Sequence, residues 1–244
     1  MNNSSIPLSP FSCTYSSHVP EILFKLNCSI AVTTYQAGKL VFLSAKDEES
    51  IIQLPRTFDK PMGIAVDSVK DKLALACKEE VMVFANSKDL AEYYPTAPQK
   101  YDALYMPRVT YHTGPLDIHD LYFGEGNQLY AVNTLFSCVM KVDDDYNFTP
   151  YWKPNFIDKL VSEDRCHLNG MAMLNGKPKY ATAFNTGNSF QSWRENVTTT
   201  GVIIDIETNE LIVEGLGMPH SPRIYNGELY CLLSATGINK GECY

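Results

Sequence analysis

An all-β fold assembled from repeated antiparallel units is what the sequence predicts, and three observations predict it. The first is a recurring phrase. Pro61-Met62-Gly63-Ile64-Ala65-Val66 turns at Lys70-Asp71 and resumes at Leu73 to Ala76, and His119-Asp120-Leu121-Tyr122-Phe123 turns over Gly124 to Asn127 and resumes at Leu129 to Val132. Cys166-His167-Leu168-Asn169-Gly170-Met171-Ala172-Met173 turns at Asn175-Gly176 and resumes at Tyr180 to Phe184, while His220-Ser221-Pro222-Arg223-Ile224-Tyr225 turns at Asn226-Gly227 and resumes at Leu229 to Leu233. An earlier relative runs from Ser29 to Leu43 around Gln36-Ala37-Gly38. The second observation is the short length of the apolar runs and their Asn-Gly or Asp-Lys punctuation, which is hairpin chemistry. The third is that almost no window sustains an apolar period of 3.6, which disfavours helical repeats.

Taking Leu40, Leu73, Leu129, Tyr180 and Leu229 as equivalent gives separations of about 33, 56, 51 and 49 residues, in the range of propellers and solenoids. A four-stranded blade buries its faces only against neighbouring blades, so its innermost strand can be apolar on both sides. Ile64-Ala65-Val66 and Met171-Ala172-Met173 fit that place. The prediction is a β-propeller of the six-bladed type, incomplete here with about four to five blades, since six at this spacing need roughly 300 residues. The chain has 244. A five-bladed ring closed by the N-terminal segment is the alternative.

In chain order, residues 1–20 are Ser- and Pro-rich and read as a mobile arm, leading into a short amphipathic helix at Val19 to Leu26. Residues 21–244 read as one propeller domain, truncated at its C-terminus. Ser29 to Ser44 reads as a hairpin, Ile51 to Leu54 as a third strand, and Val81 to Phe84 continues the second blade. Residues 86–116 hold tyrosines and prolines without a clean period, as a functional insertion or an obscured strand pair would. Val139 to Val142 reads as a strand before a solvated turn at Asp143-Asp144-Asp145, and Gly187 to Thr200 as a polar loop carrying Trp193 and Arg194.

Composition narrows the function classes. A formal net charge of −8 without a basic stripe argues against nucleic acid as a partner. No run approaches membrane-spanning length and no secretory leader is recognisable, so neither a membrane partner nor export is expected, and the location follows as cytoplasmic. The 7 cysteines are an odd number at scattered spacings, which reads as reduced thiols rather than a disulfide framework.

The polar strand entries are where chemistry is expected. Innermost strands of a propeller run along its axis, so residues just before them gather at one mouth of the channel. His119 and Asp120, His167 and Asn169, and His220 and Arg223 fall there, and they include three of the five histidines of the chain. Each alone could cap a strand start; as a set they are the candidate ligand-binding residues. Carboxylate and amide oxygens suit a hard divalent metal ion such as calcium, with Asp120 and Asn169 as its candidate ligands, whereas imidazoles suit softer metals. Cys166 and His167 are adjacent on a strand and point to opposite faces, which does not make a nucleophile and its base.

The strings Thr34-Tyr35-Gln36-Ala37-Gly38-Lys39-Leu40, Asp117-Ile118-His119-Asp120-Leu121, Asn133 to Cys138, Asp164 to Gly170 and Pro219 to Arg223 together resemble a bacterial family of conserved hypothetical proteins built on a domain of unknown function. The resemblance runs from about residue 20 to the end and implies a β-propeller. Members of that family continue for further blades past the position of Leu233, so it also implies that this chain is shorter than its relatives. Leu168-Asn169-Gly170-Met171-Ala172 is similar to the strand entry of gluconolactonase and regucalcin (SMP-30) propellers, which implies Asn169 as a cation ligand. Pro61 to Ala65 is similar to a phrase of the NHL-type propellers, which are binding scaffolds. The function expected is a polar axial site for a small molecule or a divalent metal, with hydrolase or lactonase-like chemistry. The alternative is a non-catalytic scaffold that binds a protein or carbohydrate through loops such as Tyr93 to Tyr111 and Phe148 to Phe156.

Overall fold

The structure is a computed structural model that describes residues 13–67 and 69–235, so most of the segment expected as an N-terminal arm lies outside the described residues, as does Cys243. The described residues divide into two compact units, one ending at Pro61 and the other beginning at Met62. No change of composition marks that boundary in the sequence.

In the first unit, helix α1 (His18–Leu26) ends where Asn27 adopts a left-handed conformation and its N–H returns to the last turn. Asn does so at small cost, which makes it a natural helix stop. Strands β1 (Ser29–Thr34), β2 (Lys39–Ala45) and β3 (Ile51–Thr57) then form an antiparallel meander. The third strand runs past its expected end at Leu54 because Pro55 pairs with Val41 on a strand whose other side is unpaired. Proline is tolerated on such an edge, where no ladder donor is needed from it.

The second unit is a β-propeller, as the repeat predicts: three four-stranded blades and two strands of a fourth among the described residues. The first blade comprises β4 (Ile64–Asp67), β5 (Lys72–Ala76), β6 (Glu80–Asn86), a short helix α2 (Lys88–Ala91) and β7 (Tyr105–His112). The second comprises β8 (Ile118–Phe123), β9 (Leu129–Asn133), β10 (Cys138–Lys141) and β11 (Thr149–Trp152), and the third β12 (Leu168–Leu174), β13 (Lys177–Ala183), β14 (Gly201–Asp205) and β15 (Leu211–Leu216). Strands β16 (Pro219–Tyr225) and β17 (Glu228–Leu233) follow. The aperiodic stretch 86–116 resolves into α2, a loop and β7. As the outermost strand of its blade β7 is mostly exposed, so no apolar alternation is required of it and none was legible.

Buried faces pack between consecutive blades. Ala65, Ala74 and Val81 of the first meet Ile118, Leu121, Ala131 and Met140 of the second. Val132 and Val139 of the second meet Leu168, Met171, Ala181, Val202 and Ile204 of the third. The innermost strands are neighbours in turn, β4 with β8, β8 with β12 and β12 with β16. Their approach is close enough to demand glycine. A Cβ on Gly170 of β12 would meet Pro222 Cδ at 2.5 Å and Ser221 N at 3.2 Å, and one on Gly63 would meet the Asp120 backbone at 3.3 Å. Gly63 and Gly170, in two of the repeated phrases, thus mark strand-to-strand contact at the axis. Gly170→Ala is therefore expected to destabilise the propeller by about 1–3 kcal/mol, read as a lowered denaturation midpoint with an unchanged m-value.

Candidate functional site

Three of the four innermost strands begin with the same irregularity. Asp117 (φ 53°), His167 (φ 49°) and Met218 (φ 50°) adopt left-handed conformations immediately before β8, β12 and β16. Two residues further on stand His119, Asn169 and His220. In β8 the register jumps from Ile118 opposite Asn133 to Asp120 opposite Val132, and in β12 from Leu168 opposite Ala183 to Gly170 opposite Thr182. His119 and Asn169 are thus the extra residues of two bulges, and bulges re-aim side chains at sheet ends. The sequence reading that put three histidines at one structural position needs correction on this point. His119 and His220 share theirs with Asn169, while His167 takes the left-handed place before β12. Backbone conformation, rather than residue type, sets the equivalence.

The three imidazoles nonetheless belong to one row of rings. His119 and His167 meet edge to face with centroids 4.9 Å apart, His167 lies 4.5 Å from Phe184, and Phe184 lies 5.1 Å from His220. Trp193, from the loop between β13 and β14, packs 4.3 Å from His167 and 5.4 Å from Phe184.

Hydrogen bonding fixes the tautomer of each ring. The hydroxyl of buried Thr134 donates to the Leu168 carbonyl at 2.6 Å, so towards His119 Nδ1, 2.7 Å away, it can only accept. The Asp117 carbonyl, 2.9 Å from the same nitrogen, also requires a donor. His119 therefore carries its proton on Nδ1. His220 does likewise, donating from Nδ1 to the Met218 carbonyl at 2.7 Å, with Ser234 Oγ at 2.9 Å. His167 Nδ1 donates to the carboxylate of buried Asp164, 3.0 and 3.1 Å away, and Trp193 Nε1 donates to the same carboxylate at 2.9 Å. With Nδ1 as the donor in each ring, the neutral form leaves Nε2 as an unprotonated acceptor. No described residue hydrogen-bonds any of these Nε2 atoms. The His119 and His167 side chains keep 16% and 13% of their surface accessible.

Burial, reinforced by the neighbouring His167, pulls His119 below its ordinary value of 6.5, and burial also lowers His220. A base flanked by its own kind in a partly dry place resists protonation.

Asp120 and Arg223 are placed elsewhere, against each other. Asp120 accepts hydrogen bonds from Leu121 N at 3.1 Å and Met171 N at 3.2 Å, and the Arg223 guanidinium reaches its two oxygens at 3.2 and 3.4 Å. The guanidinium also lies 4.9 Å over the Tyr122 ring. Burial raises the Asp120 carboxyl above its usual range while Arg223 opposes that shift. Asn169 Oδ1 accepts from Thr182 Oγ1 at 2.7 Å, and its Nδ2 is buried without a partner.

This donor set does not fit a divalent cation. The carboxylate oxygens of Asp120 already face a guanidinium and two N–H groups, and the Asn169 oxygen faces a hydroxyl donor. Among the described residues, no three His, Cys, Asp or Glu side chains are grouped so as to hold a metal ion. Cys166 is fully buried and its thiol is pushed up to about 12 by burial, which removes the thiolate needed for nucleophilic attack.

Asp164, Trp193, Phe184 and Thr134 complete the site and were not singled out from the sequence. One local signal existed: Asp164 precedes His167 by three residues, close enough along the chain for the two side chains to meet. Thr134 and Trp193 are remote in sequence and carry no such signal.

Residues 17–240 match the model of a family described as "Domain of unknown function (DUF4915)". The chain belongs to the DUF4915 family. Similar solved structures include virginiamycin B lyase from Staphylococcus aureus, 11% identical with a TM-score of 0.44 over 86% of this DUF4915 chain and 60% of the lyase. A streptogramin B lyase is 13% identical with a TM-score of 0.48 over 85% of this chain and 73% of that one. The PQQ-bound aldose sugar dehydrogenase from Streptomyces coelicolor is 12% identical with a TM-score of 0.46 over 89% and 78%. This chain thus spans less than two thirds of the first of these. No curated protein sequence matches it.

Because His119 and His220 are held below their unfolded value, the stability they contribute is present above about 6.5 and is lost as pH falls through their lower folded values. Acidification through that window is expected to lower the melting temperature, and the double variant His119→Gln, His220→Gln to lose less over the same range. Equal losses in both proteins would refute this.

Proposed function

We propose that this propeller binds a small molecule against His119, His167 and His220, and that His167 Nε2 accepts a proton from it in a reaction of the hydrolase or lyase kind. The observation that carries the reading is the Asp164–His167 pair. A carboxylate that takes the Nδ1 proton fixes the ring's orientation, leaves Nε2 as the base, and stabilises the imidazolium formed when the proton arrives. Trp193 donates to the same carboxylate. His119 and His220, each tied through Nδ1 to a backbone carbonyl two residues earlier, present further acceptors that hydrogen-bond and orient the bound molecule. Asp120 and Arg223 serve the site indirectly, by tying three innermost strands together, and Asn169 by pairing with Thr182 within the third blade.

The scaffold reading has less support. Phe148 packs 5.1 Å from Phe136, and Phe148 and Phe156 both lie against core clusters, so that loop spends its aromatics on folding. Tyr93 is exposed, but Tyr94 and Tyr101 pack on each other at 5.7 Å.

Two measurements test the proposal. Nitrogen-15 spectra of the imidazoles near neutral pH are expected to show the Nδ1–H tautomer at His119, His167 and His220, and an Nε2–H signature at His167 would sink the base assignment. Across a panel of esters, lactones and β-elimination substrates, His167→Ala is expected to lower kcat/KM on any substrate turned over by about 10²–10⁴-fold. Asp164→Asn should lower it while shifting the pH profile, and turnover indifferent to both substitutions would overturn the reading.

A further inference from the structure

The ligand class follows from what the site offers and what it withholds. Every free polar atom on the row of imidazoles is an acceptor, because each Nδ1–H is spent on Asp117 O and Thr134, on Asp164, or on Met218 O. A molecule bound there must supply N–H or O–H donors. The charges near the rings are unbalanced. Asp164 is buried and accepts from the ring N–H groups of His167 and Trp193, with no Lys or Arg among its described partners. Asp117 Oδ2 stands 4.0 Å from His119 Nδ1 with a third of its side chain exposed.

The neighbouring cations are committed elsewhere. Arg165 is clamped by Asp158, Glu163 and Asn188, and Arg223 by Asp120. Arg194 stacks 4.3 Å over Trp193 and donates to Gln191. Acceptors without donors and two carboxylates without a facing guanidinium or ammonium favour positive charge.

We propose that the ligand of the histidine row is a cationic amine. The inference rests on the proton-accepting reading above and names the class of molecule it acts on. Ammonium N–H groups would donate to the Nε2 atoms of His119 and His167, with Asp117 and Asp164 supplying the charge behind them. An anionic ligand would face the two carboxylates.

The test is a titration of the full chain, followed through its imidazole nitrogen-15 signals, with 1,5-diaminopentane, 1,5-pentanediol and glutarate as probes of equal length and different charge. The diamine is expected to shift the Nε2 signals of His119 and His167, with an affinity that falls as salt is added, while glutarate leaves them unmoved. Asp117→Asn, which keeps a residue at home in the left-handed conformation, should weaken the diamine by about threefold. The amine assignment is overturned if the diol or glutarate shifts the rings as strongly as the diamine, or if the diamine shifts neither ring. The tautomers, read in the same spectra before any probe is added, report separately on the proton-accepting reading. Nδ1–H rings that ignore the diamine would leave that reading standing and remove only the amine.

Discussion

One carboxylate holds the axial region of the second unit together. Asp120 leaves β8, receives the Met171 N–H of β12 and takes the guanidinium of Arg223 from β16. Three strands from three blades, with partners 51 and 103 residues away along the chain, are joined at a single buried group. Desolvating that charge is costly, and burial alone would drive the carboxyl towards its neutral form. The Arg223 charge and two backbone N–H groups offset the cost, and together they fix how closely the innermost strands approach. Gly170, pressed against Pro222 and Ser221, reports the same closeness from the packing side.

Everything on the histidine row depends on that spacing. The Thr134 hydroxyl on the second blade can accept from His119 because it is already donating to Leu168 on the third. His119 and His167 touch only because β8 and β12 are neighbours. Once the blades are in register, hydrogen bonds decide which nitrogen of each ring is free. The chemistry of the site is in that sense set by backbone carbonyls and one buried aspartate more than by the histidines themselves.

Polar residues at the axis divide into two classes that look alike in sequence. Asp120 and Arg223 satisfy each other and nearby backbone groups, and the Asn169 oxygen satisfies a neighbouring hydroxyl, so these groups are used for assembly. His119, His167 and His220 each satisfy one nitrogen and leave the other. The difference is one of stoichiometry: a carboxylate ringed by donors has nothing left to offer a ligand, whereas an imidazole with one tied nitrogen has a lone pair. The hard-cation expectation for Asp120 and Asn169 came from residue type and, for Asn169, from a resembling strand entry, and neither shows who the neighbours are.

Period, turn chemistry and the absence of helical amphipathicity were enough to determine repeated hairpins, a propeller, and the gathering of the strand entries, because those properties depend on residues close together in the chain. The recurring Gly63 and Gly170 and the histidines beside the strand starts were legible for the same reason. Tertiary structure alone decided that His167 stands two places out of line with His119 and His220, since a left-handed backbone residue and a bulge carry no letter of their own. It alone brought Thr134, Asp164, Phe184 and Trp193 to the rings, and it alone turned Asp120 towards Arg223. Hydrogen bonds between groups dozens of residues apart depend on how blades stack, and a linear pattern of hydrophobicity holds no information about which of two polar side chains will find the other.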